Sequence, residues 1–244
     1  MSDLIPAILF EDTHLIVLDK PAGLLSQGEH TGDVNVVDWL RGRWGRPYVG
    51  LIHRLDRNTS GVMIVAKRTK SAQRLTRALQ AGKLQRTYLG WVRGTLKEVQ
   101  EWHHTLIKDE ARNKVRVAGP ARARPGNAPS RDSESSARAK AAVLLATPKA
   151  RVMHHGVALS LVEFKLETGR SHQIRAQSAH EGFPILGDRK YGSALQEEFI
   201  KRPALHSHRL RFPHPMSGEE MEFTAPLPED MNFSDLRDFS KDTL

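Results

Sequence analysis

His53-Arg54-Leu55-Asp56-Arg57-Asn58-Thr59-Ser60-Gly61, followed at once by Val62-Met63-Ile64-Val65-Ala66, is the stretch on which the reading turns. The unbroken apolar run after Gly61 predicts a buried strand. The small polar residues before it, Asn58 to Gly61, predict the turn that leads in. An aspartate between two arginines therefore sits on a turn at a strand's edge, where a short acid can reach a ligand. Spacing alone leaves a second reading open, in which Asp56 brackets the turn through backbone hydrogen bonds.

Charge sharpens the question. Between Asp38 and Glu98 the only carboxylate is Asp56, against fourteen Lys or Arg, so residues 39–97 carry 14 − 1 = +13 while the rest of the chain carries 23 − 27 = −4. A segment so charged is an electrostatic footprint for a polyanion, with nucleic acid the leading partner, although a generally basic protein with solvated charge has the same composition. The 244 residues suffice for one large domain. No run approaches a transmembrane length and the start, Met1 to Pro6, lacks the marks of a signal peptide, so a cytoplasmic protein without membrane attachment is expected. The absence of Cys removes disulfides, thiolate nucleophiles and Cys-based zinc sites.

Outward from the opening stretch, Ala7 to Phe10 and Leu15 to Leu18 predict a hairpin around Glu11-Asp12-Thr13 that leads into the turn Lys20-Pro21-Ala22-Gly23. Thr69 to Ala81 predicts a helix with Ala72, Leu75, Ala78 and Leu79 inward and Lys70, Arg74 and Arg77 outward. Tyr88 to Val92 and Leu159 to Leu166 predict strands, the latter with Val162, Phe164 and Leu166 on one side. Residues 118–142 contain no Val, Leu, Ile, Met or aromatic residue and are expected to form a flexible insertion, whose Arg122, Arg124, Arg131, Arg138 and Lys140 are within the means of an RNA contact. Thr168 to Arg175 follows a strand and opens a helix, capped near Thr168 or Ser171, that puts His172, Arg175 and Ala179 on one face. Irregular interleaving of strands and helices predicts an α+β class.

The opening nonapeptide closely resembles the HRLDxxTSG signature of the RluA-type pseudouridine synthases, which modify large-subunit ribosomal RNA and transfer RNA. Asp19 to Gly23, Arg86-Thr87-Tyr88-Leu89, Thr168 to Arg175, Gly182 to Asp188 with Tyr191-Gly192, and Leu205 to Pro215 are similar to further family stretches in the same order. The resemblance runs from about Glu11 to Pro228 and excludes the low-complexity segment. It implies a pseudouridine synthase fold: a mixed, largely antiparallel curved sheet with flanking helices, as a single catalytic domain over residues 1–244. The extra amino-terminal RNA-binding domain of several relatives is not expected.

By that resemblance Asp56 is the catalytic aspartate, Tyr88 the ring against the target uracil, and Arg175 the guanidinium that holds the aspartate. An Arg partner favours the ionised carboxylate and fixes its plane through paired hydrogen bonds. The reaction has no redox step, so no cofactor is expected. The target is expected to be flipped out of its stack or presented from a loop. Arg54 is the candidate to fill the vacated space or to contact phosphate. Arg57, Arg86, Arg170 and His172 are further candidates for RNA contact, and Arg170 is a rival for the carboxylate. Lys20 is a candidate phosphate contact, against the alternative of a solvated loop lysine. Two departures from the family pattern, Gln177 where a His is common and Arg86 where a Lys is frequent, bear on substrate contacts more than on the reaction.

The twelve His residues include His103-His104, His154-His155 and His206-Ser207-His208, but no HExxH or comparable carboxylate spacing accompanies them, and a metal-free monomer is expected. The rival reading from another class is an RNA-binding or ribosome-assembly factor with little isomerase activity.

Overall fold

The structure, a computed structural model, describes residues 4–29, 32–120, 139–154, 156–192 and 200–232. The described chain falls into two compact units, residues 1–89 with 205–232, and residues 90–204.

In the first unit β1 (Ala7–Glu11) and β2 (Leu15–Lys20) form the expected hairpin, with the Asp12 carboxylate accepting from the amides of His14 and Leu15 at 2.7 Å each. Strand β4 (Ser60–Ala66) lies antiparallel to β2 and to the two-residue β3 (Gly50–Leu51), and parallel to β10 (Leu205–Pro213), which pairs in turn with β11 (Glu220–Thr224). Every residue of β4 is buried, so both of its faces are covered, as its continuous apolar run requires. One of those faces, Val62, Ile64 and Ala66, joins Leu15, Val17 and Phe212 in a core against which α2 (Thr69–Gln80) lays Leu75, with Ala72 and Leu79 at the margin. Lys70, Arg74 and Arg77 face solvent as expected.

The helix α1 (Val36–Trp44) was not legible in the sequence. Asn35 caps it by accepting from the Asp38 amide at 3.0 Å, and Gly45 ends it in the left-handed conformation. Its buried face is only Val36, Val37 and Leu40, too short a stripe to stand out by periodicity.

The second unit is built on an antiparallel run of β9 (Val157–Leu166), β8 (Ala139–His154), β6 (Gln100–Asp109) and β7 (Lys114–Pro120), in that order. Val162 and Phe164 of β9 are buried on one side, as their alternation predicts. The expected insertion at 118–142 is narrower than its composition suggests. Residues 118–120 end β7, and Ala139 to Ala142 pair with β6, where strand pairing and not apolar content decides the structure. The remainder, with Arg122, Arg124, Arg131 and Arg138, lies outside the described residues. Strand β5 (Gln85–Arg93) begins in the first unit and ends in the second. Helix α3 (Gln173–His180) starts one or more residues later than the expected caps, because His172 takes the N-cap position with φ 51°. Among the described residues no helix is long and apolar enough to cross a membrane.

Candidate active site

The nonapeptide separates into two sets of residues. His53, Leu55, Thr59, Ser60 and Gly61 are buried, while Arg54, Arg57 and Asn58 are exposed and Asp56 is half-buried. The buried set does the folding. His53 Nε2 accepts the Ile64 amide at 3.2 Å, which places its proton on Nδ1, and burial aided by the positive charge of Arg86 pushes the imidazole down to about 3. Ser60 Oγ meets His206 Nδ1 at 2.9 Å where β4 runs beside β10. Gly61 has φ 111°, and a Cβ there would lie 2.2 Å from the Ser207 carbonyl oxygen, so the strand pair closes only around glycine.

Asp56 opens a turn whose Thr59 amide donates to the Asp56 carbonyl at 3.0 Å. The segment on either side is pinned from below. Ser26 Oγ donates to the Leu55 carbonyl at 2.7 Å and accepts the Leu55 amide at 3.1 Å, and the Gly23 amide donates to the Arg57 carbonyl at 2.8 Å. Lys20 completes the support. It is wholly buried, and its Nζ donates to the carbonyls of Leu24 (2.8 Å), Pro21 (2.9 Å) and Arg57 (3.2 Å). The expectation of a phosphate contact or a solvated loop lysine at Lys20 is therefore corrected: its charge is spent on backbone oxygens that join the two loops.

Tyr88, on β5, is buried beside this turn. Burial raises its phenol above the usual range; the charge of Arg86 and a hydrogen bond with Ser207 oppose that, and the negative charge of Asp56 adds to it. The Tyr88 ring and the Asp56 carboxylate thus share one electrostatic neighbourhood. Arg86, expected at the RNA surface, is only 7% exposed, and its charge acts inward on Tyr88 and His53. Arg57 is exposed but engaged, donating to the Gly23 carbonyl at 3.1 Å and to Asp33 at 2.8 Å. Arg54 faces solvent.

In the second unit α3 carries Arg175, whose Nε and Nη2 grip the two oxygens of Asp188 at 2.6 and 2.8 Å. Asp188 is fully buried and accepts also from the amides of Lys190 (3.0 Å) and Tyr191 (3.3 Å). Gly187 before it has φ 68°, and a Cβ there would lie 2.1 Å from the Arg202 carbonyl oxygen. The Arg175 guanidinium also lies 5.3 Å from the centre of the Tyr191 ring. Tyr191 Oη accepts the Val115 amide at 2.7 Å and shares a hydrogen bond of 2.9 Å with His172 Nδ1. Asp188 and Tyr191 belong to a stretch noted in the sequence, yet nothing in their spacing assigns them to Arg175.

Arg170, the expected rival, is exposed and donates Nε to the Ala141 carbonyl at 3.0 Å, while its amide is taken by Gln173 Oε1. Gln177, expected to bear on substrate contacts, has no exposed surface; its Nε2 faces the Trp102 carbonyl and His104 Nδ1, so the departure from the family pattern there is absorbed by the core. Two of the histidines noted in the sequence have partners among the described residues. His104 Nε2 meets Glu181 at 2.8 Å, and His208 Nδ1 lies 2.9 Å from the Ala225 carbonyl.

Residues 14–180 match the RNA pseudouridylate synthase family. The chain belongs to that family. Among its relatives it is 36% identical over 241 residues to ribosomal large subunit pseudouridine synthase D of Xanthomonas campestris pv. campestris, covering 92% of this chain and 66% of the relative. It is 31% identical over 236 residues to ribosomal large subunit pseudouridine synthase C of Buchnera aphidicola subsp. Schizaphis graminum, covering 92% and 68%. The chain thus spans about two thirds of the length of these relatives. In fold it is similar to human RNA pseudouridylate synthase domain containing 1, with a TM-score of 0.74, 22% identity, and coverage of 98% of this chain and 90% of that one. The α+β, pseudouridine synthase fold implied by the sequence is the fold observed.

Proposed function

We propose that this protein isomerises uridine to pseudouridine in large-subunit ribosomal RNA, with Asp56 as the catalytic aspartate. The observation that carries the proposal is the half-buried Asp56 on a turn held by the buried Lys20 and Ser26, with Tyr88 in its electrostatic field. The names of the relatives support ribosomal RNA as the substrate class.

The reaction breaks the bond between ribose C1′ and uracil N1 and forms one between C1′ and C5. The hydrogen on C5 leaves as a proton, and N1 gains one, so atoms balance and no electrons are exchanged with a partner. Whether the carboxylate adds to the base, attacks C1′ or removes a sugar proton, it acts in ionised form. We assign Tyr88 as the surface against which the detached uracil turns, and Arg175 as the group that holds the carboxylate, following the family resemblance. Asp188 and the Tyr191 ring hold the guanidinium in place before any substrate arrives, so its orientation costs no reorganisation. The target base leaves its stack to reach Asp56, and Arg54, exposed two residues away, is the side chain proposed to take its place. We place the enzyme in the cytoplasm, as a monomer acting on RNA.

The test is to incubate unmodified large-subunit ribosomal RNA with the protein and map pseudouridine chemically. Conversion at one or a few defined uridines is expected. RNA that binds and stays unconverted would favour the binding-factor reading.

A further inference from the structure

Helix α2 begins in a way that its own sequence does not satisfy. Its N-cap is Arg68, which has no acceptor to offer, and no side chain caps it. The first intrahelical bond runs from the Ala72 amide to the Arg68 carbonyl, so the amides of Thr69, Lys70 and Ser71 precede the helical ladder. No acid lies in the first turn, and Arg68 and Lys70 bring positive charge to the positive end of the helix dipole. Helix α1 shows the opposite arrangement, with Asn35 as cap and Asp38 in its first turn.

This helix start opens onto a cavity of about 540 Å³ in the first unit. Its lining includes Arg46, Lys67, Arg68 and Lys70 and no carboxylate. Lys67 is already neutralised by Glu11 at 2.9 Å, and Arg68 gives its Nε to the Thr13 carbonyl. The charge left over is that of Arg46, Lys70 and the outer nitrogens of Arg68. Two polar atoms of the lining residues are left unsatisfied. Ser71 Oγ is wholly buried and has no hydrogen-bond partner among the described residues, and the same holds for the buried Nε of Arg46. A buried hydroxyl left without a partner costs stability that a ligand can return.

We propose that the cavity at the amino end of α2 binds a phosphate group of the RNA backbone, as a site apart from Asp56. Backbone amides, a hydroxyl and cations converging without an acid match the recognition of a tetrahedral oxyanion. None of Asp56, Tyr88, Arg54 or Arg57 lines the cavity, so the site anchors RNA at a phosphate away from the reacting nucleotide. The choice of RNA as the source of the phosphate rests on the function proposed above; the phosphate site itself does not.

The first arm of the test titrates inorganic phosphate into the full chain and follows backbone amide resonances by NMR. Shifts at Thr69, Lys70 and Ser71 are expected, weakened in Ser71→Ala and in Lys70→Ala. Ser71→Ala should also unfold no more easily than wild type, because it removes an unsatisfied buried group. The second arm measures RNA affinity against salt concentration. Lys70→Ala is expected to reduce the slope of log affinity against log salt by about one, as loss of one phosphate contact requires. No phosphate shift at the three amides would overturn the site. Shifts without a change in slope would overturn RNA as the source and leave a free phosphate as the ligand. Because the first arm uses neither RNA nor turnover, a protein that fails to isomerise uridine yet shows these shifts would break the proposed function and leave the site standing.

Discussion

The turn that carries Asp56 and the helix that carries Arg175 are immobilised by opposite means. Under the turn, a buried cation, Lys20, gathers three backbone carbonyls from two loops, and Ser26 holds a fourth residue through its backbone. On the helix, a buried anion, Asp188, grips the side chain itself through two parallel bonds and is fixed by two amides behind it. The first device fixes main chain; the second fixes a guanidinium directly. The difference follows from the lengths of the side chains. A short aspartate is aimed by its backbone, whereas a long arginine has too many rotamers for its backbone to aim it and needs a partner at its tip.

That comparison can be broken at several points. The largest effect is expected for Gly61→Ala, which drives a Cβ to 2.2 Å from the Ser207 oxygen at a φ of 111°; a loss of more than about 4 kcal/mol, or failure to fold, should appear in the denaturant midpoint. Lys20→Met keeps the bulk and strips three carbonyls of their donor, and should cost about 3 kcal/mol by chemical denaturation. A midpoint unchanged from wild type would mean that the turn is not held from below. Asp188→Asn retains part of the acceptor but loses the charged, two-pronged grip, so about 2 kcal/mol of stability and at least tenfold in kcat are expected to go, with KM for RNA little changed. A rise in KM with kcat preserved would show that Arg175 contributes to binding alone.

The smallest effect concerns pH. His53 is lowered in the folded protein to about 3 from an ordinary 6.5, so below pH 6.5 the unfolded chain takes up the proton that the folded chain refuses. The stability tied to this residue is complete above 6.5 and is lost as pH falls, by about 2 kcal/mol between pH 7 and pH 5. His53→Gln, which keeps an acceptor for the Ile64 amide, should flatten that part of the profile. An identical pH profile in the variant would remove His53 as its source.

Much of this was legible where local pattern and tertiary outcome agree. The run Val62 to Ala66, the hairpin before Pro21 and the apolar stripe of α2 announce themselves by period and by turn residues. Lys20 did not, because a lysine beside a Pro-Gly turn reads as solvated, and one of its acceptors lies 37 residues along the chain. Residues 139–142 were equally opaque, since alanines without large apolar neighbours become strand only through the partner that β6 provides. At the candidate site the sequence brought forward Asp56 and Tyr88 through their motifs, while the roles of Ser207 beside Tyr88 and Asp188 beneath Arg175 exist only in the folded chain.

Tritium release from RNA labelled at uracil C5, with wild type and Asp56→Asn compared under conditions where both bind, tests the central claim most directly, because joining C5 to ribose expels that hydrogen. Release by wild type, with none above background from Asp56→Asn at equal RNA affinity, is the predicted result. Equal release by both would contradict the assignment of Asp56 as the catalytic aspartate, and release by neither would contradict the isomerase itself.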